Sequence, residues 1–149
     1  MPFTTLTPQD IALAQLEKAL RLYVRDEDLI CVVTLAGAAE EILGKLARVE
    51  GKTPSLERRV AHKMEMFSAI FPNTPIPPKK AFVSLSNQGR DAMKHLTTTD
   101  PITIDIEEKS GRLLARAVEN YVLLFGSETP LMRRFQSKRL RAFRLHGVA

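Results

Sequence analysis

The chain has 149 residues, 44% of them apolar and 26% charged, with a net charge of +5. That balance excludes a disordered polymer, gives enough chain for one packed core, and contains no run of the roughly 18 apolar residues that a membrane span needs. A lone cysteine, Cys31, excludes an intrachain disulfide, and an opening without a basic start or apolar core predicts no secretory signal and a reducing, cytoplasmic home.

Thr7-Pro8-Gln9-Asp10 has the form of a helix start, with threonine as N-cap, proline in the first turn and an acid at the third position. Leu13, Leu16, Leu20, Tyr23 and Val24 then recur at helical spacing. Asp26-Glu27-Asp28 interrupts the pattern and suits the positive end of a second helix, which Gly51 is placed to terminate. The stretch LICVVTLAGAA, residues 29–39, has Thr34 as its single polar residue, which predicts burial on most sides with Cys31 in the core. Ala36, Gly37, Ala38 and Ala39 are small enough for another helix to approach closely there.

A third helix is expected from Thr53-Pro54, with Leu56, Val60, Met64, Phe67 and Phe71 as its apolar stripe. PNTPIPPKK holds four of the nine prolines and predicts a long loop from Pro72 to about Ser86, with AFVSL as a short extended piece. Ser84 or Ser86 is then the expected cap of a short fourth helix carrying GRDAMKHL, stopping near Thr97. Asp105 and Glu108 resemble a capping box for a fifth helix with the stripe Leu114, Ala117, Val118, Tyr121, Val122 and Phe125, ended by Gly126. Thr129-Pro130 begins a sixth. The expected architecture is a single all-α domain over residues 1–149, an up-and-down bundle of five to six helices built around the second and fifth.

Charge is unevenly placed. From Leu131 onward there are six basic residues, Arg133, Arg134, Lys138, Arg139, Arg141 and Arg144, and no acid. Taking those six from 22 leaves 16 basic residues against all 17 acids, so the body is nearly neutral and the basic helix or tail at about 128–149 carries the excess. Such a segment attracts nucleic acid through phosphate contacts, or is a solvated helix end that favours solubility.

Several chemistries lack their residues. The seven glycines stand singly, without a phosphate-binding or dinucleotide motif. His62, His95, His146 and Cys31 are scattered, and His62 with Glu65 forms one His-x-x-Glu pair where a bundle metal site needs several. No metal or cofactor is expected, nor a nucleophile elbow.

The stretch GRDAMKHL places His95 five residues after Arg90, with Asp91 between. On a helix five residues mean roughly 140° of rotation and about 7.5 Å of rise, poor for a contact within the helix but suited to a groove between two surfaces. Two copies meeting at a two-fold axis would bring two arginines and two histidines into one cleft. A neutral histidine can accept the proton of a ribose 2′-OH, and an arginine can hold a phosphate and stabilise charge that builds on it. The same residues also have plain readings: His95 as a favourable helix C-terminal residue, Arg90 and Lys94 as a solvated face, Glu40 and Glu41 as the exposed edge of the second helix. Arg141 to His146 repeats the spacing without a polar second residue.

RDAMKH, with the upstream helix LAGAAEEILGKL, resembles the Arg-polar-x-x-x-His signature of HEPN domains, the "higher eukaryotes and prokaryotes nucleotide-binding" helical family. The resemblance implies an all-α fold and a homodimer acting as a metal-independent endoribonuclease of a toxin or defence type. It implies catalytic roles for Arg90 and His95, a polar companion in Asp91, and support from Lys94 and from Glu40 or Glu41. RNA and a cognate protein are the implied partners, with Arg133, Arg134, Lys138, Arg139 and Arg141 as candidate nucleic-acid contacts. The competing expectation is a non-catalytic helical dimer that binds a protein, nucleotide or RNA through the same cleft.

Overall fold

The computed structural model describes residues 2–95 and 98–146, the side chain of His146 excepted. The imidazole of the second Arg–His spacing falls outside these, and the helix end expected near residues 97–101 comes earlier, at Lys94. Six helices follow in order: α1 (Pro8–Val24), α2 (Leu29–Val49), α3 (Ser55–Ile70), α4 (Lys79–Lys94), α5 (Ile106–Phe125) and α6 (Pro130–His146). There is no strand among the described residues. The all-α bundle expected from the pattern is present.

Side chains cap α1, α2 and α5 at their starts, whereas α3 and α4 begin after Pro54 and Pro78 without a side-chain cap, which leaves Ser84 and Ser86 inside α4. Thr7 Oγ1 accepts from the Asp10 backbone N–H at 3.1 Å while the Asp10 carboxylate accepts from the Thr7 N–H at 2.9 Å, a reciprocal cap. Asp28 accepts from the Cys31 N–H, and Asp105 from the Glu108 N–H. Gly126 closes α5 in the left-handed region at φ 82°, where a side chain would be strained.

α2 and α5 share the most extensive interface and lie at the centre. Val32, Val33, Ala36, Ala39 and Leu43 of α2 face Leu114, Ala117 and Val118 of α5, and α1 adds Leu16, Leu20 and Tyr23. α6 closes this core with Phe135, which meets the Tyr23 ring edge-on at 5.2 Å between centroids. Lys138 fastens the same helix by donating to the Tyr23 carbonyl at 2.8 Å and to Asp26.

Three expectations are corrected. The loop foreseen from Pro72 to Ser86 occupies only residues 71–78, and AFVSL is helical within α4. Pro77 and Pro78 stand just before the first turn, where a missing N–H breaks nothing, so they start the helix instead of interrupting it. Cys31 is exposed, as are Ile30 and Thr34, because none of the described residues covers that arc of α2. Glu40, read as a solvated edge in the plain alternative, is buried at 4% exposure.

α3 meets α5 through polar groups. The Ser55 N–H donates to Asn120 Oδ1 at 2.8 Å, and both Ser55 Oγ and the Arg59 guanidinium donate to the Glu119 carboxylate. Burial alone raises the Glu119 pKa, but the bonds from Arg59 and Ser55 outweigh it and hold the group below the usual carboxylate range. A folded pKa below the unfolded one contributes stability above the unfolded pKa that is lost as pH falls through the folded one. Urea unfolding from about pH 6 to about pH 3 should therefore show a shallower acid loss of stability in Glu119→Gln than in the wild type. Identical acid slopes in the two proteins would show that Glu119 is not held this way.

Candidate functional site

α4 carries the Arg90–His95 stretch, and α2 receives it. The Arg90 stem crosses α2 at Gly37, where a Cβ would lie 2.9 Å from Arg90 Cδ, closer than real side chains approach. Its guanidinium stands 3.7 Å from Glu40 Oε2 and 3.0 Å from Asp91 Oδ1. Asp91 thus accepts from the side chain of the arginine that precedes it. His95 is the C-cap of α4, its backbone N–H donating to the Asp91 carbonyl at 2.9 Å. Its side chain is exposed.

Beneath Arg90 lies a buried polar network. Glu40 pairs with Arg116 of α5 at 2.9 Å, both side chains about 5% exposed or less. Arg116 Nη2 also donates to Asn87 Oδ1 at 2.9 Å, and its Nη1 to the Ser86 carbonyl at 3.2 Å. Asn120 Nδ2 donates to the Glu40 carbonyl at 3.3 Å. A carboxylate in this setting is tolerable because the guanidiniums of Arg116 and Arg90 face it, while the Asn120 amide satisfies the backbone carbonyl of the same residue. Glu41, one residue on, points instead to the rim with Lys45 at 3.0 Å and Lys94 at 3.8 Å, and the Lys45 bond leads in holding its carboxyl below the ordinary range.

A cleft of about 320 Å³ opens beside Arg90, floored by Val33, Gly37, Ala38 and Met93 and edged by Thr34, Glu41 and Lys94. A larger cleft, about 630 Å³, lies elsewhere, between α1 and α6, with Leu13, Leu16, Leu20 and Leu131 on its walls. It holds Arg21, Arg25, Arg134 and Glu17. Neither cleft is lined by a histidine; the smaller one joins Arg90, held by Gly37, Glu40 and Asp91, to an apolar floor, and its lining stops at Lys94, one residue short of the exposed His95.

The α6 cations divide. Arg133, Arg134, Lys138 and Arg141 surround one shallow depression of about 450 Å³. Within it Lys138 is committed to capping α1, and Arg133 donates to the Glu128 carbonyl at 3.0 Å. Arg139 faces α5 at Gly111, and burial holds its guanidinium below its ordinary pKa. Among the described residues no group of three His, Cys, Asp or Glu side chains could hold a metal ion, and no helix is long and apolar enough to cross a membrane.

Arg116, Asn87 and Asn120 escaped the sequence reading. The signal was present: Arg116 and Asn120 are four apart on the stripe of α5 that Leu113, Ala117 and Val118 share, and Glu40 falls in step with Ala36, Leu43 and Ala47 on α2. Polar residues in register with a buried stripe mark a paired interior charge. No family model, curated protein or solved structure matches this chain.

Two outcomes follow from this geometry. Arg116→Met strands Glu40 and should lower unfolding stability by about 3–5 kcal/mol, whereas Glu40→Leu with Arg116→Met should lose less than the single change. Chemical denaturation of the three proteins measures it, and a harmless single change would deny the network its role. Gly37→Ala gains helix propensity of about 1 kcal/mol, so stability should hold while Arg90 is pushed aside. The Arg90 Nε–H resonance should then shift in a nitrogen-proton correlation spectrum.

Proposed function

We propose that the chain is a HEPN-like, metal-independent endoribonuclease in which Arg90 and His95 of two copies share one cleft. The observation that carries this reading is the pairing of a fixed arginine with an exposed histidine at the end of the same helix. Arg90 is held by Gly37, Glu40 and Asp91, while His95 is exposed to solvent. A positioned charge and an available base are what strand cleavage by the ribose itself requires, and a second copy is what would bring the two together.

In this mechanism the His95 imidazole takes the proton of a 2′-OH, and the 2′-oxygen attacks the adjacent phosphorus. The bond to the 5′-oxygen breaks, and that oxygen takes a proton from the imidazolium of the second copy. The products are a 2′,3′-cyclic phosphate and a 5′-hydroxyl. Arg90 stabilises the charge that accumulates on the phosphoryl oxygens. Leu85, Ile70 and Phe71, exposed on the α3–α4 hairpin that bears Arg90, give a second copy apolar surface to cover.

A second reading has its own support. Arg90 already faces two carboxylates, Glu40 and Asp91, which weaken its field at an incoming phosphate. That favours a non-catalytic dimer in which Arg90 organises a binding cleft for a protein or nucleotide and His95 is dispensable.

Incubation with mixed RNA in EDTA separates the two. Cleavage leaving 2′,3′-cyclic phosphate ends is expected, reduced by about 10²–10⁴-fold in His95→Ala, with folding and oligomeric state unchanged. Cleavage that survives His95→Ala would sink the mechanism. A silent wild type whose binding depends on Arg90 but not His95 would establish the second reading.

A further inference from the structure

Arg59 and Lys63 are four apart on α3, and Lys109, Arg112 and Arg116 stand at positions i, i+3 and i+7 on α5. Each set lies on one helix face, and the two faces converge on the same stretch of α4. Lys63 Nζ donates to Ser86 Oγ at 3.0 Å, while Arg116 Nη1 donates to the Ser86 carbonyl at 3.2 Å, so cations from two helices bond to one residue. The Lys109 stem lies across Gly89, where a Cβ would come within 2.9 Å of Lys109 Cδ and Cγ. Arg112 and Lys109 share Glu108, at 2.5 and 3.9 Å, and Arg59 has Glu119.

The face is short of negative charge. Among the described residues Arg59, Lys109 and Arg112 have Glu108 and Glu119 as their carboxylate partners, and Lys63 has none. Burial first, and then Arg112, Arg116, Arg59 and Lys109 facing it, hold the Lys63 ammonium below its ordinary pKa. Like charges gathered on a partly buried face cost folding free energy and gain it back when an anion arrives. Lys109 to Arg112 rises about 4.5 Å along α5 and Arg59 to Lys63 about 6 Å along α3, on packed helices whose axes stand roughly 8–10 Å apart, so these four cations spread wider than one phosphate group, while Arg116 is buried and takes no part.

We propose that α3, α4 and α5 form a binding face for the phosphate backbone of a single-stranded nucleic acid, with Arg59, Lys63, Lys109 and Arg112 contacting its phosphates. This face is separate from the Arg90 cleft. Gly89, under Lys109, and Arg90, against α2, are adjacent on α4 and so diverge by about 100° around it. Arg116 lies between the two, bonded to Ser86 on one side and to Glu40 on the other.

The test uses the full chain and a labelled 2′-O-methyl oligoribonucleotide of mixed sequence, which no 2′-OH chemistry can cut. Binding is followed by fluorescence anisotropy across salt concentrations. Lys63→Gln with Arg112→Gln should weaken binding about tenfold or more and reduce the salt slope by about 1–2, with the unfolding midpoint unchanged or raised. Wild-type affinity and slope in that double variant would overturn the proposal. If the double variant loses stability as well as binding, Lys63→Arg with Arg112→Lys decides: binding restored by charge alone supports the face, and binding not restored overturns it. Pyrophosphate that raises the wild-type melting temperature, and not that of the double variant, while the oligonucleotide fails to bind would overturn it in favour of a small phosphate ligand. His95→Ala should bind the oligonucleotide as the wild type does, so failure of this face and failure of the cleavage mechanism give different results.

Discussion

One buried carboxylate ties the helices together. Glu40 sits on α2 where a leucine would satisfy the stripe, and burying it commits the surrounding structure to supply charge and donors. Arg116 supplies the charge from α5. Arg116 then needs acceptors for its remaining N–H groups, and α4 provides them through Asn87 and the Ser86 carbonyl. Arg90, on the next turn of α4, leans toward the same carboxylate. The apolar contact of α2 with α5 supplies bulk stabilisation without choosing where α4 lies. The ion network makes that choice, because a displaced α4 leaves interior donors unsatisfied.

The network also explains how Arg90 can be ordered at a cleft edge. A solvent-exposed arginine loses about 2 kcal/mol of side-chain freedom when fixed. Here Gly37 opens a passage for its stem and two carboxylates fix its head, so the order is established before any ligand arrives. The same carboxylates lessen its charge. Cleft and network are thus coupled: what orients Arg90 also sets how strongly it can act on a phosphate.

Much of the fold was legible because its signals are local. Thr7 with Asp10, Asp105 with Glu108 and Gly126 each act within one turn, and the stripes of α1 and α5 repeat at the helical period. The start of α4 was misplaced because proline has two opposite local meanings. Inside a helix it removes a bond, but before the first turn it removes none, and only the packing of Phe82 against Phe67 shows which applies. Cys31 was misplaced for a different reason: an apolar run states what a helix can bury, not which neighbours exist to bury it. α2 covers its arc from Val32 to Ala47 and leaves Ile30 and Cys31 facing solvent.

The candidate site was half legible for a reason of scale. Arg90, Asp91 and His95 lie within one short stretch, and spacing alone draws attention to them. Their controlling partners are 76 residues apart in the pair Glu40–Arg116 and 29 apart in Arg116–Asn87. A single sequence records such pairing only as polar residues in register with apolar stripes, without saying which meets which. The charge excess teaches the same lesson. Counting along the chain puts it in α6, whereas folding engages Lys138 with α1 and gathers Arg59, Lys63, Lys109 and Arg112 from a nearly neutral body onto one face. Net charge by segment reports what a chain carries. The field that a partner meets depends on which carboxylates the fold has already placed beside each cation.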